Sequence, residues 1–116
     1  MTTLVEEVKI SDVTLNICQQ LDIYKKNLRN DMVIGDTKII IGVEIVEKIV
    51  REINPIVYSE EVIRNINFMI KNYLDLKEKN MSIINHYTLY GINMAKNIME
   101  SVIYEKIRNN KKLILK

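Results

Sequence analysis

The apolar positions of this chain fall into groups with helical spacing. Val13, Ile17, Leu21 and Tyr24 recur at intervals of four, four and three residues, the period of one helix face. Ser11-Asp12 stands just ahead of them as a capping signal. Lys25, Lys26 and Arg29 put cations in the closing turns, where they complement the helix dipole. A helix is predicted over about 12–29. Asn30-Asp31 and Gly35-Asp36 punctuate the connection that follows. A second helix is predicted from about Asp36 to Ile53, with Ile39, Val43, Val46, Ile49, Val50 and Ile53 on its stripe. Asn54-Pro55 closes it, because a residue before proline is pushed out of the α region.

Ser59-Glu60-Glu61 combines a capping residue with two acids, a helix start. The stripe Val62, Ile66, Met69, Tyr73, Leu76, Ile83 and Tyr87 then predicts a central helix of about 28 residues. Asn80 falls on that stripe, either as a hydrogen-bonded polar residue near a helix crossing or as a specificity device at a helix pair. From Tyr87 to Asn93 the pattern lapses, and Thr88, Leu89, Tyr90 and Gly91 predict a short extended loop. A last helix is predicted from about Ala95 to Arg108, with Ile98, Met99, Val102 and Ile107 on its apolar face. The chain therefore divides into an N-terminal extension with one amphipathic helix (1–36), a main helical domain (37–108) and a basic tail (109–116).

Composition narrows the chemistry. At 116 residues there is room for one domain. With 47% apolar and 28% charged residues the chain is globular, not disordered. One Cys excludes a disulfide scaffold and a Cys-built zinc site. One His and three Gly leave little for a metal cluster or a phosphate cradle. No cofactor is implied, and binding is expected rather than catalysis. Cys18 reads as a buried small hydrophobe and the methionines as core filler. No apolar stretch is long enough to span a membrane, and the acidic start lacks a secretory h-region, so a reducing intracellular setting is expected. Heavy use of Ile and Asn resembles the codon bias of an AT-rich genome. The net charge of +2 hides a polarity. Residues 1–36 carry four basic and six acidic side chains, and residues 105–116 carry five basic against one acidic.

The plan of the last 80 or so residues, short–long–short helices joined by two strap-like loops, resembles the histone fold. Ile49-Val50-Arg51-Glu52-Ile53-Asn54-Pro55 is similar to the end of the first helix of the two-B core histones. Tyr58-Ser59-Glu60-Glu61-Val62 is similar to the start of their central helix and to that of archaeal histones. From Ser59 to Val102 the register runs without a gap. Met69, Ile70, Tyr73 and Leu74 fall on the central apolar pairs, and Met81-Ser82 and His86-Tyr87 on an Ala-Ser and a His-Tyr. Asn97-Ile98 with Ser101-Val102 falls on the closing pattern. There are departures. Tyr90 and Ile92 stand where histones carry a basic residue and a Thr, Asn97 replaces the acid that pairs with that base, and Glu78 replaces a small residue.

This resemblance implies an all-α histone fold with an additional N-terminal helix, and a chain that pairs with another histone-fold chain, as a heterodimer. The implied interface is Val62, Ile66, Met69, Ile70, Tyr73 and Ile84. It further implies a part in wrapping DNA into nucleosome-like particles, through phosphate contacts from Lys38, Arg51, Ser59, Lys96, Arg108, Lys111 and Lys112. The nucleus, a viral factory or a virion would be the place for such a protein. Two other functions fit the same residues. One is a helical interaction subunit that scarcely touches DNA. The other is a small ribonuclease domain, since Lys79-Asn80 followed by His86 resembles the Arg-polar-spacer-His motif of HEPN-type enzymes.

Overall fold

The computed structural model describes residues 9–31, 34–80 and 84–114. They form four helices and, among the described residues, no strand: α1 (Asp12–Asp31), α2 (Asp36–Ile53), α3 (Glu60–Lys79) and α4 (His86–Ile114). The all-α expectation holds, and the first two helices begin and end close to where the sequence pattern puts them.

Each start has a local cause. At α1, Ser11 Oγ accepts a hydrogen bond from the Thr14 N–H at 3.1 Å, the N-cap bond that satisfies an orphan donor. At α3, Ser59 is extended and its Oγ accepts from the Val62 N–H at 3.3 Å. α2 lacks a side-chain cap and starts from Gly35 in the left-handed region, at φ 77°. α4 starts from Asn85. Its carbonyl accepts from the Leu89 N–H at 3.0 Å, and its side-chain oxygen accepts from the Tyr87 N–H at 2.9 Å.

The second half of the chain departs from the expected plan. The central helix stops at Lys79, with 20 residues instead of about 28, and α4 has 29. Residues 87–93, expected as an extended loop, are helical. The order among these three helices is thus 18, 20 and 29 residues, without the long middle member of a short–long–short plan. The physical reason lies in Thr88, Ile92, Ala95, Met99 and Ile103. They are buried at helical spacing and form one continuous stripe that begins before Gly91.

The main packing partner of α4 is α2, and a pair of glycines sets their distance. A Cβ built on Gly42 would lie 2.1 Å from the Thr88 carbonyl oxygen, and one built on Gly91 would lie 2.0 Å from the Ile39 carbonyl oxygen. Backbone meets backbone there, and only glycine leaves the room. One core gathers Val13, Ile17 and Leu21 of α1, Val43, Val46 and Val50 of α2, Ile66 and Ile70 of α3, and Ile92, Met99 and Ile103 of α4. The N-terminal helix is therefore built into the core. A smaller cluster joins Leu28 to Ile39 and Ile40, flanked by Tyr24 and Tyr87.

A polar joint ties the two ends of this frame. Asn54 caps α2 in the left-handed region (φ 46°, ψ 58°), and its N–H donates to the Val50 carbonyl at 2.8 Å. Its Oδ1 accepts from the Ser11 N–H and the Thr14 hydroxyl, both at 2.9 Å, and its Nδ2 donates to the Lys9 carbonyl at 3.0 Å. Thr14 is fully buried, so this bond replaces the water its hydroxyl has lost. Ser11 Oγ also donates to the Pro55 carbonyl.

Candidate interaction surface

α3 is the least enclosed of the four helices. Its buried residues, Val62, Ile63, Ile66 and Ile70, all lie within its first eleven positions. From Lys71 to Lys79 no residue is buried. Yet this helix exposes large apolar side chains: Phe68 is 63% exposed, Leu76 60% and Met69 39%. Between α3 and α2 runs an apolar groove of about 340 Å³, lined by Ile45 and Ile49 on one wall and Met69, Tyr73 and Leu76 on the other. Lys48 and Glu52 edge it. The Lys77 ammonium lies 5.5 Å from the Tyr73 ring centroid, within cation–π range. Ile41, one turn before Ile45, is 42% exposed and extends the apolar surface along α2.

The residues expected at a dimer interface divide in two. Val62, Ile66 and Ile70 are buried in the chain's own core, so in this fold they are not open to a partner. Met69 is exposed, Tyr73 is half-buried in the groove wall, and Ile84 is half-buried just before α4. Phe68 is the residue that sequence reasoning missed. It lies off the Val62–Ile66–Met69 stripe, and its signal was an aromatic side chain alone on the opposite face.

The expected phosphate contacts are not brought together as one patch. Lys38 and Arg51 are exposed in the first and last turns of α2, about 20 Å apart along the axis. Arg51 Nε lies 3.7 Å from Glu47 Oε1. Ser59 is occupied as the cap of α3. Lys96 is half-buried on α4, while Arg108 and Lys111 are exposed near its end with Lys106. The side chain of Lys112 lies outside the described residues. Lys106 also lies 6.0 Å from the Tyr58 ring centroid.

Other chemistry is sparse. Lys79 and Asn80 end α3 and His86 begins α4; all three are exposed, and His86 stacks at 4.1 Å on Tyr87. Met81, Ser82 and Ile83, between them, lie outside the described residues. Among the described residues no group of His, Cys, Asp and Glu could hold a metal ion, and no helix is long and apolar enough to cross a membrane. Cys18 is buried and free, and burial pushes its thiol pKa up. Burial, and to a lesser extent the neighbouring Tyr90, raise that of Tyr24. Lys25 lies 3.1 Å from Glu47 Oε2 and 3.3 Å from Asp22 Oδ1. Burial alone would lower its pKa, but the two carboxylates outweigh that and raise it. A polar groove between α1 and α4 is lined by Asn16, Gln20, Asn97, Ser101 and Asn109.

Set beside known proteins, the chain matches no family model, no curated protein and no solved structure. The functional reading therefore stands on the residues themselves.

Proposed function

We propose that this chain is a helical protein-interaction subunit. α1, α2 and α4 form the frame, and α3 offers its outer face, with the groove beside α2, to a helix of a partner protein. The observation that carries this reading is the exposure of Phe68, on the side of α3 away from the core, and of Leu76, in the stretch Lys71 to Lys79 where no residue is buried. Fully burying each would contribute on the order of 1.5–3 kcal/mol to a complex. Grouped exposed apolar side chains with a polar rim mark interaction sites more often than isolated ones do.

Site-specific photocrosslinking in the native cells tests this. A photoreactive residue in place of Asn72, beside Phe68 and Leu76, should give discrete adducts of defined mass. The same group in place of exposed Gln19 on α1 should not. Adducts equal at both positions, or absent at both, would remove the reading.

DNA wrapping as a histone-like heterodimer is the second reading. What favours it is the ungapped resemblance from Ser59 to Val102, together with exposed Lys106, Arg108 and Lys111 along the last turns of α4. Against it stand the separation of Lys38 from Arg51 and the enclosure of Val62, Ile66 and Ile70 within the chain.

A further inference from the structure

The outer face of α3 has a pattern that specifies its own complement. Glu61, Asn65, Phe68, Asn72, Leu76 and Lys79 are all exposed and succeed one another at spacings of three and four, so they form one stripe along the helix. It is acidic at one end and basic at the other, with Phe68 and Leu76 alternating with Asn65 and Asn72 between them. Glu61 and Lys79 are eighteen residues apart, which is about five full turns or about 27 Å. They therefore point the same way.

We propose that a second copy of this chain covers the face, its α3 antiparallel to the first, with Glu61 against Lys79 of the partner subunit. This rests on the reading of α3 as an interaction surface and names the partner. A two-fold axis crossing the helix at the level of Ile70 exchanges the two ends, as an isologous contact requires. Each copy then supplies one acid and one base, giving two opposite-charge contacts. Phe68 and Met69 of both copies meet around the axis, where their apolar surface is removed from water. A parallel pair would set like charges against each other at both ends, so the charge pattern selects direction while the apolar centre supplies area. The stripe is a single helix face, small for an interface, and the dimer is correspondingly weak, with Kd on the order of 10 µM. The residues differ from the Val62–Ile66–Ile70 stripe because those side chains are already enclosed.

Sedimentation equilibrium of the purified full chain, up to about 300 µM, tests the pairing. The wild type should pass from monomer to dimer. Phe68→Asp should stay monomeric, with an unchanged far-ultraviolet circular dichroism spectrum because the side chain is exposed. Glu61→Lys and Lys79→Glu should each weaken the dimer about tenfold. An equimolar mixture of these two variants should pair about as well as the wild type, because both contacts again join opposite charges. Weakening caused only by the altered helix-end charge would not be rescued by mixing. A wild type that stays monomeric throughout, a dimer that survives Phe68→Asp, or a mixture without rescue would each overturn the proposal. A monomeric wild type with Asn72-specific adducts to another protein in cells would overturn the self-pairing alone and leave the interaction reading intact.

Discussion

Gly91 lies so close to Ile39 that a methyl group on its α-carbon would fall 2.0 Å from the Ile39 carbonyl oxygen. The obstacle is backbone, which cannot rotate aside as a side-chain end can. Gly91→Ala must therefore push α2 and α4 apart, and Gly42→Ala must do the same against Thr88. In an open helix interior either change would stabilise by about 1 kcal/mol, through helix propensity. Here the expected sign is reversed, with a loss of about 2–4 kcal/mol for each, because the largest packed interface in the molecule opens. Urea denaturation of the two variants measures it, and a gain in stability at either position would contradict the close crossing.

Asn54 joins a backbone constraint to a hydrogen-bond hub, and two substitutions separate them. Asn54→Ala loses the three side-chain bonds to Ser11, Thr14 and Lys9 and keeps a Cβ in the left-handed region. Asn54→Gly loses the same bonds but removes the conformational cost, about 1 kcal/mol. The alanine variant is expected to lose about 2–3 kcal/mol, since the fully buried Thr14 hydroxyl forfeits its Asn54 acceptor. The glycine variant should lose about 1 kcal/mol less. Thermal unfolding of the pair checks both the size and the order.

These two sites also show what the amino-acid pattern could reveal. Ser11, Asn54-Pro55 and Ser59 are local signals, because a cap or a pre-proline residue acts on its own few neighbours. The start of α1, the end of α2 and the start of α3 follow from them. Gly91 has two meanings that local pattern does not separate: a chain break, or room for another helix. The second depends on Ile39, far away in sequence. With Gly91 read as a break, the buried stripe Thr88–Ile92–Ala95–Met99–Ile103 is cut at its start. Asn85 then passes unnoticed as the cap of α4. The apolar stripe of α3 was visible, but which of its members face inward depends on where α2 and α4 sit. That is why Val62 and Ile66 lie inside while Met69 and Leu76 lie outside.

Alkali should destabilise the fold from a defined point. Cys18, Tyr24 and Lys25 all have raised pKa values, from ordinary values of 9.0, 10.0 and 10.5. A group whose folded pKa is raised holds its proton more tightly in the folded chain. Its stabilising effect is complete below the unfolded pKa and is lost as pH rises through the folded one. The urea midpoint should thus be flat near neutrality on account of these groups and should fall as pH rises past about 9, the ordinary value of the lowest of them. Cys18→Ala should remove the earliest part of that fall, whatever it does to stability at neutral pH. Lys25→Met should remove part of the latest. An alkaline limb unchanged in Cys18→Ala would show that the thiol does not titrate on unfolding.

DNA affinity separates the two functional readings through its dependence on salt. Each phosphate neutralised on duplex DNA contributes about 0.9 to the slope of log affinity against log salt. A grip by Lys106, Arg108 and Lys111 at the end of α4 would give a slope near −2.7. One that also used Lys38, Arg51 and Lys96 would give a slope near −5.4. The spacing of Lys38 and Arg51 along α2 and the engagement of Arg51 with Glu47 argue that the purified chain makes no such set of contacts. The expected outcome is no measurable binding of duplex DNA at about 200 mM salt, and at about 50 mM only a weak association with the shallow slope. Arg108→Ala with Lys111→Ala should abolish that association. Fluorescence anisotropy with a labelled duplex at the two concentrations measures it. A steep slope, lost on replacing Lys38 or Arg51, would transfer the conclusion to the histone-like reading.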